Sequence, residues 1–273
     1  MAELPEIKKI ADQMNERLIN RQISAVELKQ PKCSNISVEE LNDRCTKRTV
    51  RHVFNKGKWI FVSLDNNENI LISLGMGGDI IYFEDGSETQ DKYQIKVSFS
   101  DKAGFTIRFW WFGNFLIAND DELKSEPHTK DIALSPFDEG FTYGYFQDLL
   151  KDKKGQIKAF LMDQKNVSGI GNMYMHDILF KSSLHPKQKI SDMTKDDHIN
   201  LYNSINQVLG FSRDKGAFAY ENDFYGCKGT FTTADFLVGY KEGKPCPKCG
   251  ESIQLIKTGS TTSFICPKCQ RIH

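Results

Sequence analysis

Near its end the chain carries Cys246, Cys249, Cys266 and Cys269 as two Cys-Pro-Lys-Cys steps separated by 16 residues. Each step aims two thiolates at one point, and two such steps complete a tetrahedral all-sulfur set suited to Zn(II). The spacing falls within the range of paired-knuckle zinc sites, so these cysteines read as a metal site and not as a disulfide framework. With every coordination position filled by protein, the one Zn2+ is predicted to be structural, holding a β-hairpin over roughly residues 252–265. On the knuckles alone the partner could be DNA, RNA or protein.

The remaining 245 residues ahead of the first knuckle suffice for one large core or two moderate ones, and two domains is the better expectation. No stretch approaches 18 apolar residues, and no basic segment followed by an apolar core opens the chain, so the expectation is a cytoplasmic protein with no membrane partner. Lys+Arg and Asp+Glu both total 36, so overall charge neither proposes nor excludes nucleic acid. Local charge says more: residues 241–273 hold five Lys and one Arg against two Glu, 6 − 2 = +4, a basic patch suited to phosphates.

Periodicity divides the chain. Ile7, Ile10, Ala11, Met14 and Leu18 follow helical spacing behind Pro5 and the acidic Glu3 and Glu6, predicting a first helix to about Asn20. KWIFVSL, NILISLGM, IIYFED, YQIKVSFS and FTIRFWWFGNFLIA then alternate or run apolar between turn-forming stretches, predicting a β-sandwich or barrel. The acidic, proline-bearing segment 119–140 reads as a linker. Residues 141–240 turn helical, except for a Gly- and aromatic-rich stretch from Asp214 to Thr233 that reads as an extended loop. The predicted organisation is α+β, with a β-sandwich domain over 1–118, a helical domain over 141–240 and a zinc finger over 241–273.

Two further stretches carry candidate binding chemistry. Gly169 and Gly171 bracket Ile170 and lead into a helix opened by Asn172, where free N–H groups and the helix dipole favour a phosphate. Met76 in GMGG and Trp110, Trp111 and Phe112 in WWFG sit at strand-ending turns, where apolar side chains could wedge into a base stack or simply pack in the core.

These pieces occur in a specific order: MAELPE, GKW at 57–59, LGMGG at 74–78, DQKNVSGIGNMY at 163–174, LHP at 184–186 and the cysteine knuckles. In that order and over essentially the whole length, the sequence resembles the formamidopyrimidine-DNA glycosylase and endonuclease VIII family of base-excision repair enzymes. The resemblance implies an N-terminal helix plus β-sandwich, a helix-two-turns-helix domain, a zinc finger, and damaged or abasic DNA bound between them by a monomer. It implies that an N-terminal amine attacks C1′ of the damaged nucleotide to form a Schiff base. Glu3 would be the acid/base carboxylate, Lys58 and Asn172 phosphate ligands, and Met76 the residue filling the gap left by the everted base. The hairpin would contribute a cation to flanking phosphates.

The sequence departs from the family pattern where chemistry is expected. Position 2 is Ala2 and not proline, the hairpin arginine falls on Thr261, the base-reading arginine is replaced within Trp110-Trp111-Phe112, and Ser73 stands for a histidine. A primary α-amine still forms an imine, and its ordinary pKa of about 7.7–8.0 leaves a neutral fraction at neutral pH. Without the proline ring its orientation must come from neighbours. Thr261 cannot reproduce a bidentate phosphate clamp, an expected loss offset in part by Lys257, Lys268 and Arg271. Tryptophan substitutes stacking for hydrogen-bonded base reading, which predicts relaxed opposite-base discrimination and admits single-stranded as well as duplex DNA. Two readings follow from these departures: a glycosylase with abasic-site lyase activity, or a damage-binding protein that keeps the fold with its chemistry reduced.

Overall fold

A computed structural model describes residues 2–85, 87 and 89–272. The chain forms two compact units, the first running to Asp131 and reclaiming Gly216–Thr230, the second comprising Ile132–Lys215 and Phe231–His273.

The first unit begins with α1 (Leu4–Leu18), whose start is set by Pro5 in the first turn and by a capping box between Glu3 and Glu6. Its buried Ile7, Ile10, Ala11, Met14 and Leu18 pack in one core with side chains of two antiparallel four-stranded sheets. One sheet orders β1 (Ile23–Leu28), β6 (Ile95–Phe99), β7 (Gly104–Arg108) and β5 (Asp79–Phe83). The other orders β2 (Val50–Lys56), β3 (Trp59–Leu64), β4 (Glu68–Ser73) and β8 (Asn114–Asn119). A short helix, α2 (Val38–Cys45), capped by Ser37, follows β1. Alternation decides which side chains meet: Ile60, Val62, Ile70, Ile72, Phe115 and Ile117 join Val97, Phe105 and Ile107 in the core. Phe61, Leu71, Leu116 and Ala118 point the other way and form a second cluster with Phe54, Trp59 and Leu123. The sandwich expected from the strand pattern is present.

Residues 216–230 contain no helix or strand, as expected of the aromatic-rich stretch, yet they are firmly tied to the first unit. Phe224 is fully buried among the sandwich side chains and packs on Tyr82 and Phe105, while the Tyr82 N–H donates to the Phe224 carbonyl at 2.8 Å. Gln13 donates to Asp223 Oδ2 at 3.0 Å and accepts the Phe224 N–H at 2.9 Å, and Asn222 donates to Asp79 at 2.8 Å.

The second unit packs α3 (Tyr143–Leu150), α4 (Ile157–Met162), α5 (Asn172–Lys181) and α6 (Lys195–Asp214), the last capped by Thr194 and Asp197. Its hairpin pairs β9 (Gln254–Thr258) with β10 (Thr261–Ile265) in antiparallel register. The LHP segment seats the knuckles, since Gln270 accepts the Cys266 N–H and donates to the Leu184 carbonyl, both at 2.9 Å. No helix among the described residues is long and apolar enough to cross a membrane.

Because Phe224 is fully buried and packs on Tyr82 and Phe105, Phe224→Ala is expected to destabilise the first unit by about 3–5 kcal/mol. Denaturant unfolding measures the loss, and faster proteolysis within residues 216–230 locates it.

Candidate active site and metal centre

The side chains of Ala2 and Glu3 are buried at the start of α1, with 5% and 2% exposure. Glu3 holds extended backbone angles, φ −112° and ψ −166°, and its N–H donates to Glu6 Oε2 at 2.9 Å. The other oxygen of the same carboxylate, Oε1, accepts the Phe218 N–H at 3.0 Å. The peptide joining Ala2 to Glu3 is thus fixed by the carboxylate that also holds the entry to the 216–230 stretch. Met1, whose removal would expose the Ala2 amine, lies outside the described residues.

Lys58 sits in the two-residue turn between β2 and β3, where Lys56 pairs with Trp59. It is half-buried, and loss of water around its ammonium pulls its pKa below the ordinary lysine range, opposed by the carboxylates of Glu3 and Glu6. The structure therefore brings Glu3, Glu6 and Lys58 into one electrostatic neighbourhood.

Met76 and the tryptophan turn are adjacent. The Met76 N–H donates to the Trp111 carbonyl at 2.8 Å, and Gly75 makes this approach possible: it adopts φ +58°, and a Cβ there would lie 2.0 Å from the Trp111 oxygen. Met76, Trp110, Trp111 and Phe112 are 43%, 56%, 64% and 79% exposed, so core packing is not what these apolar side chains do. Arg108 lies over the Trp110 ring, 4.4 Å from its centroid, an arginine at this turn that sequence reading passed over. Its position two residues ahead of Trp110, at the end of β7, was the available signal. Met76, Trp110, Trp111, Tyr220, Asn222 and Lys228 line a cavity of about 570 Å³.

In the second unit Gly169 takes φ +88°, a conformation suited to glycine, and its N–H is already engaged by Gln164 Oε1 at 2.8 Å. Gln164 also donates to the Ile170 carbonyl at 2.9 Å, making it the residue that shapes this turn. α5 opens at Asn172 as expected, with Gly171 as its N-cap. Asn172 occupies the first helical position, and its Oδ1 has no protein partner.

The four knuckle thiols converge, with all Sγ atoms within 4.8 Å of one another. Cys246 and Cys269 sulfurs are 3.9 Å apart and those of Cys249 and Cys266 3.4 Å, against about 3.8 Å for tetrahedral zinc thiolate. The backbone N–H of Glu251 helps pull the Cys249 thiol down to about 7, while desolvation pushes Cys266 up and Cys269 up to about 12. Four thiolates at this separation need a dication to coexist, so the donor set fits one structural zinc ion.

Thr261 and Lys257 lie on the hairpin, Lys257 exposed and Thr261 half-buried. The Thr261 hydroxyl is not idle: it accepts from the ammonium of Lys158, on α4, at 2.8 Å. Behind the hairpin, the His176 ring packs edge-on to Phe264 at 5.1 Å and accepts the Phe264 N–H at 3.3 Å. Burial, aided by the charge of Lys158, pulls His176 down to about 3.

Comparison with known proteins accords with this geometry. Residues 1–126 match the formamidopyrimidine-DNA glycosylase N-terminal domain, residues 132–219 the formamidopyrimidine-DNA glycosylase H2TH domain, and residues 243–272 the zinc finger found in FPG and IleRS. A formamidopyrimidine-DNA glycosylase from Streptococcus pyogenes serotype M6 is 30% identical, with 99% of each chain covered. One from Mycoplasma mobile is 30% identical over the full length of both. The fold resembles that of Lactococcus lactis Fpg in complex with abasic-site DNA, with a TM-score of 0.88 at 22% identity over 99% of this chain and 100% of that one. Helix-backed sandwich, helical unit and thiolate hairpin together define a zinc-finger DNA glycosylase. The chain belongs to the formamidopyrimidine-DNA glycosylase family.

Two outcomes are expected from this geometry. Cys266→Ser should reduce zinc from one ion per chain to none by elemental analysis and unfold the hairpin, because metal binding and folding are coupled there. His176 has a folded pKa of about 3 against 6.5 when unfolded, so the unfolded chain takes up the proton first. The stability it contributes is fully present above about pH 6.5 and is lost as pH falls toward its folded pKa. Replacing it by Phe should flatten that slope in denaturant titrations between pH 6.5 and 4.5, where zinc content is checked in parallel.

Proposed function

We propose that, once Met1 is removed, the α-amine of Ala2 is the nucleophile with which this base-excision repair DNA glycosylase works. The amine attacks C1′ of a damaged nucleotide, the C1′–N bond to the base breaks, and the base leaves with a proton. Glu3 protonates O4′ as the sugar ring opens, and the C1′=N imine forms. Loss of a C2′ proton then expels the 3′ phosphate, which is the lyase step, and Lys58 holds a phosphate beside the reacting sugar. The observation that carries this reading is the fixed Ala2–Glu3 peptide: Glu6 accepts the Glu3 N–H at 2.9 Å, supplying from outside the orientation that a proline ring would supply from within.

The DNA contacts follow the same reading. Met76, Trp110, Trp111 and Phe112 are exposed apolar side chains grouped around one turn, suited to filling a base stack from which the damaged nucleotide has left. The adjoining cavity would take the everted base. Asn172, whose amide nitrogen can donate to a phosphate oxygen beside the Gly169–Gly171 turn, and exposed Lys257 are assigned to backbone contacts. Because stacking tolerates any base, the enzyme acts with little preference for the base opposite the lesion, and on unpaired as well as duplex DNA; family resemblance suggests that it does so as a monomer.

Borohydride should trap a covalent adduct between the protein and abasic-site DNA, with the modified peptide beginning at Ala2. No adduct, or an intact mass retaining Met1, overturns the assignment. Glu3→Gln should slow base excision about 100-fold or more. Equal excision rates opposite all four bases support the stacking role of the tryptophans, and a strong preference counts against it.

A further inference from the structure

Lys158 is a buried cation without a carboxylate. Its residue is only 4% exposed, and the side chain runs from α4 into the hairpin. There it meets four oxygens: Thr258 Oγ1, Thr261 Oγ1 and Ser263 Oγ at 2.8 Å each, and the Thr262 carbonyl at 2.9 Å. All four are uncharged, and the titratable neighbour that feels Lys158 is His176, which is neutral in its buried setting. Burying an ammonium is costly unless an opposite charge attends it, and hydrogen bonds to neutral oxygens meet only part of that cost.

The hairpin turn is built to pass this charge outward. Thr258 and Thr261 pair across the turn of Gly259 and Ser260, so both hydroxyls face the same ammonium. Thr258 Oγ1 and Ser263 Oγ are buried and share a hydrogen bond of 2.9 Å. Thr261 is half-buried, and its hydroxyl donates to the Thr258 carbonyl in a long bond of 3.3 Å, with which an incoming anion can compete. Its oxygen lone pair is occupied by Lys158, which polarises the O–H, and on this half-buried residue the proton can turn from the Thr258 carbonyl to an anion from outside.

We propose that Lys158 is a positioning residue whose charge, relayed by the Thr261 hydroxyl, receives a DNA backbone phosphate at the hairpin turn. This rests on the reading of the protein as a DNA-binding glycosylase. It changes what the absence of an arginine at Thr261 means: the positive charge is present but stands on α4, behind the turn, and not on the turn itself. The ligand is a phosphodiester, contacted through one hydroxyl and held by an unscreened ammonium in a low-dielectric setting.

The test uses the full-length zinc-loaded protein and a duplex containing a stable abasic-site analogue, titrated over a range of salt. Thr261→Val should weaken binding about tenfold and reduce the slope of log K against log salt by about one, while Thr261→Ser binds as the original chain does. Lys158→Met should reproduce the valine variant's loss with zinc stoichiometry unchanged, and the double variant should lose no more than either alone. Unchanged affinity and slope in Thr261→Val overturn the proposal while leaving DNA binding intact. A loss in Lys158→Met that Thr261→Val does not share also overturns it, since the lysine would then serve only to hold the hairpin. Failure of the unaltered chain to bind the duplex would remove the underlying reading as well.

Discussion

The carboxylate of Glu6 is the interaction on which the first unit's site depends. It belongs to the first turn of α1, where an acidic residue is favoured by the helix dipole, but its two oxygens look in different directions. One fixes the Glu3 N–H and with it the peptide that carries Ala2; the other fixes the Phe218 N–H at the entry to the 216–230 stretch. A single buried group therefore couples the geometry of the proposed nucleophile to that of the segment bordering the cavity. Gln13 repeats the device two turns further along the helix, holding Asp223 and Phe224. The face of α1 that is not spent on the sandwich core organises a stretch more than 200 residues away in sequence.

In the second unit the corresponding element is the thiolate hairpin. Zinc fixes its base, but three side chains set its orientation: Gln270 against the LHP segment, His176 against Phe264, and Lys158 through the turn. Each is a buried polar group, and the cost of leaving it unsatisfied makes its partner specific. This is why a hairpin of two five-residue strands can present Lys257 and Thr261 in a defined place.

Much of this was legible beforehand because its physics is local. Thiol spacing predicts convergence, and the four sulfurs converge. Apolar alternation predicts a two-faced sheet, and Ile60, Val62 and Ile70 face one way while Phe61 and Leu71 face the other. The Gly-rich turn predicts a helix opening at Asn172, and α5 opens there with Gly171 as its N-cap. Which residue caps the helix depends on backbone angles that residue type only biases. Arg108 was missed for a related reason: strand alternation gives its face but not that its guanidinium folds back over Trp110.

The sequence by itself determined the metal set, the sandwich, the helical unit and the family, since each rests on spacings of a few residues or on motifs in a fixed order. It also determined that Ala2 and Thr261 stand where a ring amine and a guanidinium are expected. Only the tertiary structure decided what surrounds those two positions. Glu6 accepts the Glu3 N–H next to Ala2, and Lys158, 103 residues away in sequence, donates to the Thr261 hydroxyl. Buried hydrogen bonds of this kind join groups by proximity in space, and nothing in residue type or periodicity encodes which distant partner will arrive.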